Sequence, residues 1–322
     1  MQLTVPVDHG NRLIKTVNHA FPASYAESEY LSKLGDGDVL KYDGRTFTLV
    51  DQILPVLNDK TESERYYILT LFALGKELAE TADLMRLTPD AIIKVDLLIG
   101  LPPQHYSKYM DVFPEYFCPK GKPSDIIMFE MNGLNYRVKI TSAHVYPQAF
   151  AAAYTVKEKV EALWVANVVD IGGFTVDCLK VNEGMAPDLN YCTSLYYGVR
   201  VLFDKINQEV RGDGGNNIDY KLIESVISGN KTAIANISEK RKKLIEGTTR
   251  RHVEETLAEI RMNGFDLEED TVIFVGGGAL LLRGYIEATK MVKKPLFIDD
   301  IHANAIGYAI MNEEINSAQE AV

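Results

Sequence analysis

Four runs of apolar residues end in a small or acidic residue: Leu3–Asp8 (LTVPVD), Val95–Pro102 (VDLLIGLP), Asn167–Gly173 (NVVDIGG) and Thr271–Gly278 (TVIFVGGG). Short apolar runs bounded by turn residues predict buried strands that open into loops. Between them the apolar spacing becomes helical, in ERYYILTLFALGKELAETADLM and in the polar stretch from about Ala235 to Met262. Strands and helices therefore alternate as in layered α/β proteins. Two flatter alternations, VLKYDGRTFTLV and IIMFEMNGLNYRVKIT, predict hairpins turning at Asp43-Gly44 and Asn132-Gly133.

The features recur in the same order. Asp8-His9-Gly10 at the end of one strand is answered about 160 residues later by Asp170-Ile171-Gly172, and the strand ending in Gly100 by the one ending in Gly276. Each half also carries a small-residue helical pattern, Tyr146–Tyr154 (YPQAFAAAY) and His302–Ile310 (HANAIGYAI), whose Ala and Gly residues permit close helix approach. The chain is expected to form two α/β domains: residues 1–154 with an insertion at about 31–90, and 155–305 with an insertion at about 190–262. Residues 306–322 are expected to cross back onto the first domain, with the two small-residue helices as the hinge.

The length of 322 residues accommodates two such domains. A net charge of −11 argues against direct contact with nucleic acid, which needs Lys and Arg to neutralise phosphates. The one basic cluster, Glu239–Leu244 (EKRKKL), reads as a solvated helix face. The first residues lack a basic segment followed by an apolar one, and no apolar run has the length of a membrane span, so a cytoplasmic protein without a membrane partner is expected. Cys118, Cys178 and Cys192 form no C-x-x-C pair and the histidines no H-E-x-x-H, which indicates reduced thiols and no structural zinc.

The strand-end loops carry the candidate chemistry. In Asp8–Lys15 (DHGNRLIK), Gly10 lets the backbone turn so that N–H groups face outward, a geometry that suits phosphate oxygens. A carboxylate beside phosphates needs an intervening cation, so Asp8 is a candidate for holding Mg²⁺ through water, and Lys15 for reaching phosphate as a point charge. Asp170–Asp177 repeats the device with Gly172, Gly173 and Thr175. Two such hairpins would grip a polyphosphate from both sides, while Asp177 is the weaker candidate, with holding the turn alone as its alternative role. Gly276, Gly277 and Gly278 lead into an apolar helix, where a ring or ribose can press on bare backbone and the helix N-terminus favours phosphate. The chain lacks G-x-x-x-x-G-K-[ST], which closes the P-loop route, and the triple glycine is not G-x-G-x-x-G, which disfavours a Rossmann site. The Gly212–Asn217 stretch (GDGGNN) follows a helix and reads as a loop.

Taken together, Asp8–Lys15, Asp170–Asp177, Gly276–Gly278 and the two small-residue helices resemble the actin, hexokinase and DnaK-type chaperone superfamily. The length, the small insertions and the segments LIGLPPQHY and VYPQAFAAAY are most similar to ParM-type (StbA-like) bacterial actin-like proteins. The resemblance implies two actin-like (ribonuclease H-like) domains with a nucleotide cleft between them, each with a small inserted subdomain. It implies ATP or GTP as ligand and Mg²⁺ held by Asp8 and Asp170, with Asp170 also catalytic. Gly10, Asn11, Lys15, Gly172, Gly173 and Thr175 would then contact phosphates and Gly276, Gly277 and Gly278 would border the nucleoside. Gln148 falls where actin-like members place a residue that orients the attacking water. Base and ribose contacts are expected from the second insertion, with Lys205, Gln208 and Glu209 as open alternatives, and His9 departs from the small or acidic residue usual beside the first acid.

The function implied is a slow Mg²⁺-dependent ATPase that polymerises into filaments with its own copies and segregates plasmid DNA through a centromere-binding adaptor. A small-molecule kinase or phosphatase of the same fold is the alternative. Sugar kinases of the superfamily require a carboxylate to accept the substrate proton, and a neutral Gln148 is no general base. A monomeric chaperone-like switch is a third reading, weakened by the lack of a substrate-binding domain beyond the nucleotide core.

Overall fold

The computed structural model describes residues 2–27, 37–52, 55, 57, 59–85 and 91–320. The chain divides into two compact units, one of residues 1–155 with 302–322 and one of residues 156–301. Part of the first expected insertion, residues 31–36, 53, 54, 56, 58 and 86–90, lies outside the described residues.

The first unit is organised on β1 (Gln2–His9). Its antiparallel partner is β2 (Leu13–Lys15), which pairs in turn with β3 (Ala20–Pro22). The described sheet also contains β4 (Tyr25–Glu27), β5 (Val39–Tyr42), β6 (Arg45–Leu49), β7 (Ile93–Leu101), β8 (Ile127–Met131) and β9 (Leu134–Pro147), in the order β3-β2-β1-β7-β9-β8-β5-β6-β4. The β1–β7 and β7–β9 pairs are parallel. Both expected hairpins are present: Asp43-Gly44 joins β5 to β6 and Asn132-Gly133 joins β8 to β9, with positive φ at all four residues. That backbone matches the right-handed strand twist, and Asp-Gly and Asn-Gly adopt it readily.

Strand periodicity sends alternate residues to different cores. Val95, Leu97 and Ile99 of β7 join Val5 and Val7 of β1 in a core shared with the helix Arg65–Met85, which supplies Tyr66, Leu69 and Phe72. Leu98 instead packs with Tyr146, Ala151 and Tyr308. Ala151 lies on the short helix Phe150–Tyr154 and Tyr308 on the final helix Ala303–Glu320, and these helices pack together. A Cβ on Gly307 would run into the Ala151 carbonyl, so the small residues there do bring the two backbones into contact.

The second unit repeats the strand plan. β10 (Val165–Ile171) pairs antiparallel with β11 (Val176–Asn182), and β11 with β12 (Ala186–Leu195). β13 (Thr271–Val275) and β14 (Lys294–Phe297) continue the sheet in parallel, in the order β12-β11-β10-β13-β14. That order corresponds strand for strand to β3-β2-β1-β7-β9 of the first unit. Helices Val199–Gly212, Glu239–Met262 and Gly276–Thr289 cover a core that includes Val169, Ile171, Leu202, Val253 and Leu282. Among the described residues no helix is long and apolar enough to cross a membrane. Cys118 and Cys178 are buried and Cys192 is half-buried, all three as free thiols.

Candidate functional site

The two strand-end hairpins share one register. Asp8 pairs across the ladder with Lys15, and Asp170 with Asp177, seven residues on in both cases. Because Val7 faces the core, Asp8 is turned to the opposite face of β1 and His9 back toward the core side. Asp8 is buried, and its two oxygens are engaged by Lys15 Nζ at 3.4 Å and Gln148 Nε2 at 2.5 Å. The turn after it is tight: Gly10 N–H donates to the Asp8 carbonyl at 3.1 Å, and a Cβ on Gly10 would lie 2.5 Å from the Leu13 carbonyl.

His9 occupies an aromatic box behind this turn. Its ring stacks on Phe117 and meets Tyr66 and Phe113 edge-on. Thr70 donates its hydroxyl proton to the Tyr66 carbonyl at 2.7 Å, so its oxygen accepts the His9 Nε2–H at 2.8 Å. Burial, with the nearby Lys60 cation second, holds His9 well below the usual histidine range, and the ring is neutral. Lys60 itself is buried over the rings of Tyr66 and Phe113 and donates to the His9 carbonyl at 2.6 Å. Tyr66, whose phenol is pushed up to about 12 by burial, donates to Asn11 Oδ1 at 3.0 Å. Lys60 and Tyr66 thus pin the backbone and side chain of the hairpin from the core side.

Gln148 follows β9 and precedes the short helix, in an unusual backbone setting. Its N–H donates to the Leu101 carbonyl at 2.8 Å, while its own carbonyl accepts from Phe150 N–H at 2.7 Å. That bond spans two residues and closes a γ-turn at Ala149, with φ 63° and ψ −55°, a conformation that is rare and strained for a residue other than glycine. The Ala149 N–H donates to Asn304 Oδ1 of the final helix at 2.9 Å.

In the second unit the loop after β10 has its carbonyls and amides on different duties. The carbonyls of Gly172, Gly173 and Phe174 accept from Val199, Arg200 and Gly198 N–H at 3.2, 2.7 and 2.9 Å, which locks the loop onto the start of the helix Val199–Gly212. Gly172 N–H closes the turn on the Thr175 carbonyl at 2.9 Å. Among the described residues the N–H groups of Gly173, Phe174 and Thr175 make no backbone hydrogen bond, and successive free amides of this kind form an anion-binding concavity. The Thr175 hydroxyl donates to Asp177 Oδ2 at 2.9 Å.

The three glycines after β13 have three surroundings. Gly276 has φ 88°, and a Cβ there would strike Asp170 Oδ1. Gly278 is buried, with a Cβ position 2.6 Å from the Ile171 carbonyl, whereas Gly277 is exposed and has open space where its Cβ would be. Gly276 and Gly278 thus let the helix start close against β10, and Gly277 is the bare position that a ligand can approach. The helix Gly276–Thr289 has no side-chain cap on its first turn, so its N-terminal amides are available to an acceptor.

Each unit, taken by itself, carries features that suit phosphate. In the first, the backbone at Gly10 leaves no room for a side chain; in the second, three amides stand in sequence after Gly172, and the carboxylates of Asp170 and Asp177 are cross-strand neighbours, an arrangement that favours a nearby cation. Among the described residues no group of three or more His, Cys, Asp or Glu forms a metal cage. Mg²⁺ retains water and needs only one or two carboxylates besides phosphate, so the donor set fits. Of the candidates of the second insertion, Lys205 pairs with Glu255 at 2.8 Å and Glu209 accepts from Thr248 and Arg251 at 2.8 and 2.7 Å, while Gln208 is exposed. Lys60, Tyr66, Ala149 and Asn304 were not candidates from the sequence. None of the four carries a spacing signal in the sequence.

Two family descriptions match different parts of the chain: actin-like proteins, N-terminal domain, over residues 6–150, and archaeal actin homologue MreB-like, C-terminal, over residues 168–288. Comparison with curated proteins gave no match. Solved structures match over nearly the whole chain. An archaeal actin homologue superposes with a TM-score of 0.75 at 19% identity, covering 97% of this chain and 99% of that one, and was also solved in complex with ADP. Actin-like protein Alp7A gives 0.70 at 16% identity over 100% of both chains. A 15-stranded ParM filament from Clostridium botulinum gives 0.70 at 15%, over 97% and 99%. The fold is therefore that of the actin-like proteins, with two units on one strand plan. Within that class, ParM proteins stand among the neighbours, in agreement with the ParM-type resemblance of the sequence.

Proposed function

We propose that the chain binds and slowly hydrolyses ATP, or GTP, with Mg²⁺, and that the nucleotide state controls its assembly into filaments in the cytoplasm. The observation that carries this reading is the Gln148 amide on Asp8, at 2.5 Å. An amide in that place orients a water through hydrogen bonds but does not accept its proton, which suits slow hydrolysis and disfavours transfer to a substrate hydroxyl. In this reading the amides around Gly10 and after Gly172 bind phosphate oxygens, and Lys15 adds a point charge. Gly276, Gly277 and Gly278 border the nucleoside, Gly277 by contact and the other two by setting the backbone. Asp8 and Asp170 hold Mg²⁺, which when bound neutralises charge on the phosphates. The ADP complex of the archaeal homologue supports nucleotide binding, and the C. botulinum ParM filament supports self-assembly.

A plasmid-DNA cargo is what the ParM-type resemblance implies, and charge bears on how it would be reached. At −11 the chain is poorly suited to direct DNA contact, so segregation of plasmid DNA would run through a centromere-binding adaptor. The test of the nucleotide site is calorimetric titration with ATP and GTP in Mg²⁺, on the native protein and on Asp170→Ala. Binding by the native protein, with Mg²⁺-dependent turnover lost in Asp170→Ala, is expected. Absence of binding to either nucleotide, or unchanged turnover in the variant, would refute the site.

A further inference from the structure

Two segments distant in sequence meet directly behind Gln148. Asn304, buried near the start of the final helix, accepts from Ala149 N–H at 2.9 Å. That N–H belongs to the γ-turn whose other bond, Phe150 N–H to the Gln148 carbonyl at 2.7 Å, fixes the direction in which Gln148 leaves the strand. An alanine at φ 63° and ψ −55° persists only where its surroundings hold it there. The next residues complete the clamp, since the Ala151 carbonyl lies against Gly307 one turn further along the final helix.

From this arrangement we infer that Asn304 is a positioning residue for nucleotide hydrolysis: by holding the Ala149 γ-turn it sets the Gln148 side chain on Asp8. The inference rests on the assignment of Gln148 made above. The action of Asn304 on Gln148 passes through the backbone geometry of the turn. Without the Asn304 acceptor the turn relaxes toward an ordinary helix or strand conformation, the Gln148 amide is no longer aimed at one place, and hydrolysis slows while binding through the two hairpins persists.

The test is a double-mutant cycle on Asn304→Ala and Gln148→Ala, read by single-turnover hydrolysis and by nucleotide affinity. It is accompanied by hydrogen exchange of the Ala149 amide in the nucleotide-free protein. Asn304→Ala is expected to slow turnover about tenfold or more with affinity unchanged within about twofold, to speed Ala149 exchange by a similar factor, and to add nothing in the Gln148→Ala background. Ala149→Gly, which relieves the strain, should restore part of the lost turnover to Asn304→Ala. Asn304→Ser, which replaces the amide with a hydroxyl acceptor on a shorter side chain, serves in the same cycle should the alanine form not fold. Additive effects in the cycle, equal losses of affinity and turnover, or unchanged Ala149 exchange would overturn the inference. If Gln148→Ala alone leaves turnover unchanged, the assignment of Gln148 fails instead, and the exchange result still reports on the Asn304 contact.

Discussion

Gln148 Nε2 lies 2.5 Å from Asp8 Oδ1, although 140 residues separate them. The contact exists because β7 pairs in parallel with both β1 and β9, so the C-terminal ends of all three strands open at one edge of the sheet. Gln148→Ala should lower turnover by about 100-fold while leaving nucleotide affinity nearly unchanged, as measured by single-turnover phosphate release against calorimetric binding. An equal loss of both would count against a water-orienting role.

The glycines after β13 separate stability from binding. Gly277→Ala meets open space on a helix and should raise stability by about 0.5–1 kcal/mol while weakening nucleotide binding. Gly278→Ala should cost about 1–3 kcal/mol through overpacking against Ile171 and Val199. Chemical denaturation with and without nucleotide measures both. A destabilised Gly277→Ala with intact binding would remove that residue from the site.

Stability should fall on mild acidification. His9 is held well below 6.5 chiefly by burial, and His252 is lowered to about 4, again chiefly by burial. Each is neutral in the folded chain and charges in the unfolded chain below 6.5, so the unfolded state binds more protons and stability decreases with falling pH. Between pH 6.5 and 5.5 each contributes a loss of about 1 kcal/mol, and the loss for His252 continues to about pH 4. Denaturation curves of His252→Gln across this range should have a shallower pH slope than the native protein; an identical slope would show that His252 does not titrate this way.

Lys60→Met should destabilise the fold by about 2 kcal/mol, because the buried His9 carbonyl loses a charged donor at 2.6 Å. It should also weaken nucleotide binding, since the hairpin at Gly10 and Asn11 loses one of its two fastenings. Equilibrium unfolding and titration with ATP check the two effects separately, and normal binding in a destabilised variant would confine Lys60 to stability.

The parts of the molecule that were legible in the sequence are those with local causes. Asp-Gly and Asn-Gly announce the hairpins because their backbone preference matches the turn, and the apolar runs announce the core strands because burial on both faces demands continuity. The register of the two acids was readable too, as the distance from Asp8 to Lys15 equals that from Asp170 to Asp177. What remained hidden depends on tertiary placement. YPQAFAAAY has a helical composition, yet β9 continues through Pro147 and the helix begins only at Phe150. Nothing about Ala149 signals positive φ, since the bond that stabilises it comes from Asn304, 155 residues away. Gly276, Gly277 and Gly278 look equivalent in sequence and differ only in what stands opposite each. His9 is unusual beside an acid until strand alternation is applied, which sends it to the aromatic side of β1 and Asp8 to the other.

Under the proposed function, nucleotide binding by these hairpins controls assembly of the chain with its own copies. The direct measurement is light scattering followed by sedimentation, with ATP, GTP, ADP or a slowly hydrolysed analogue in Mg²⁺. A sedimenting polymer is expected above a critical concentration with a triphosphate, one that persists longer with the analogue and is absent with Asp170→Ala. Protein that binds nucleotide yet stays monomeric at every concentration, with every nucleotide, would contradict it.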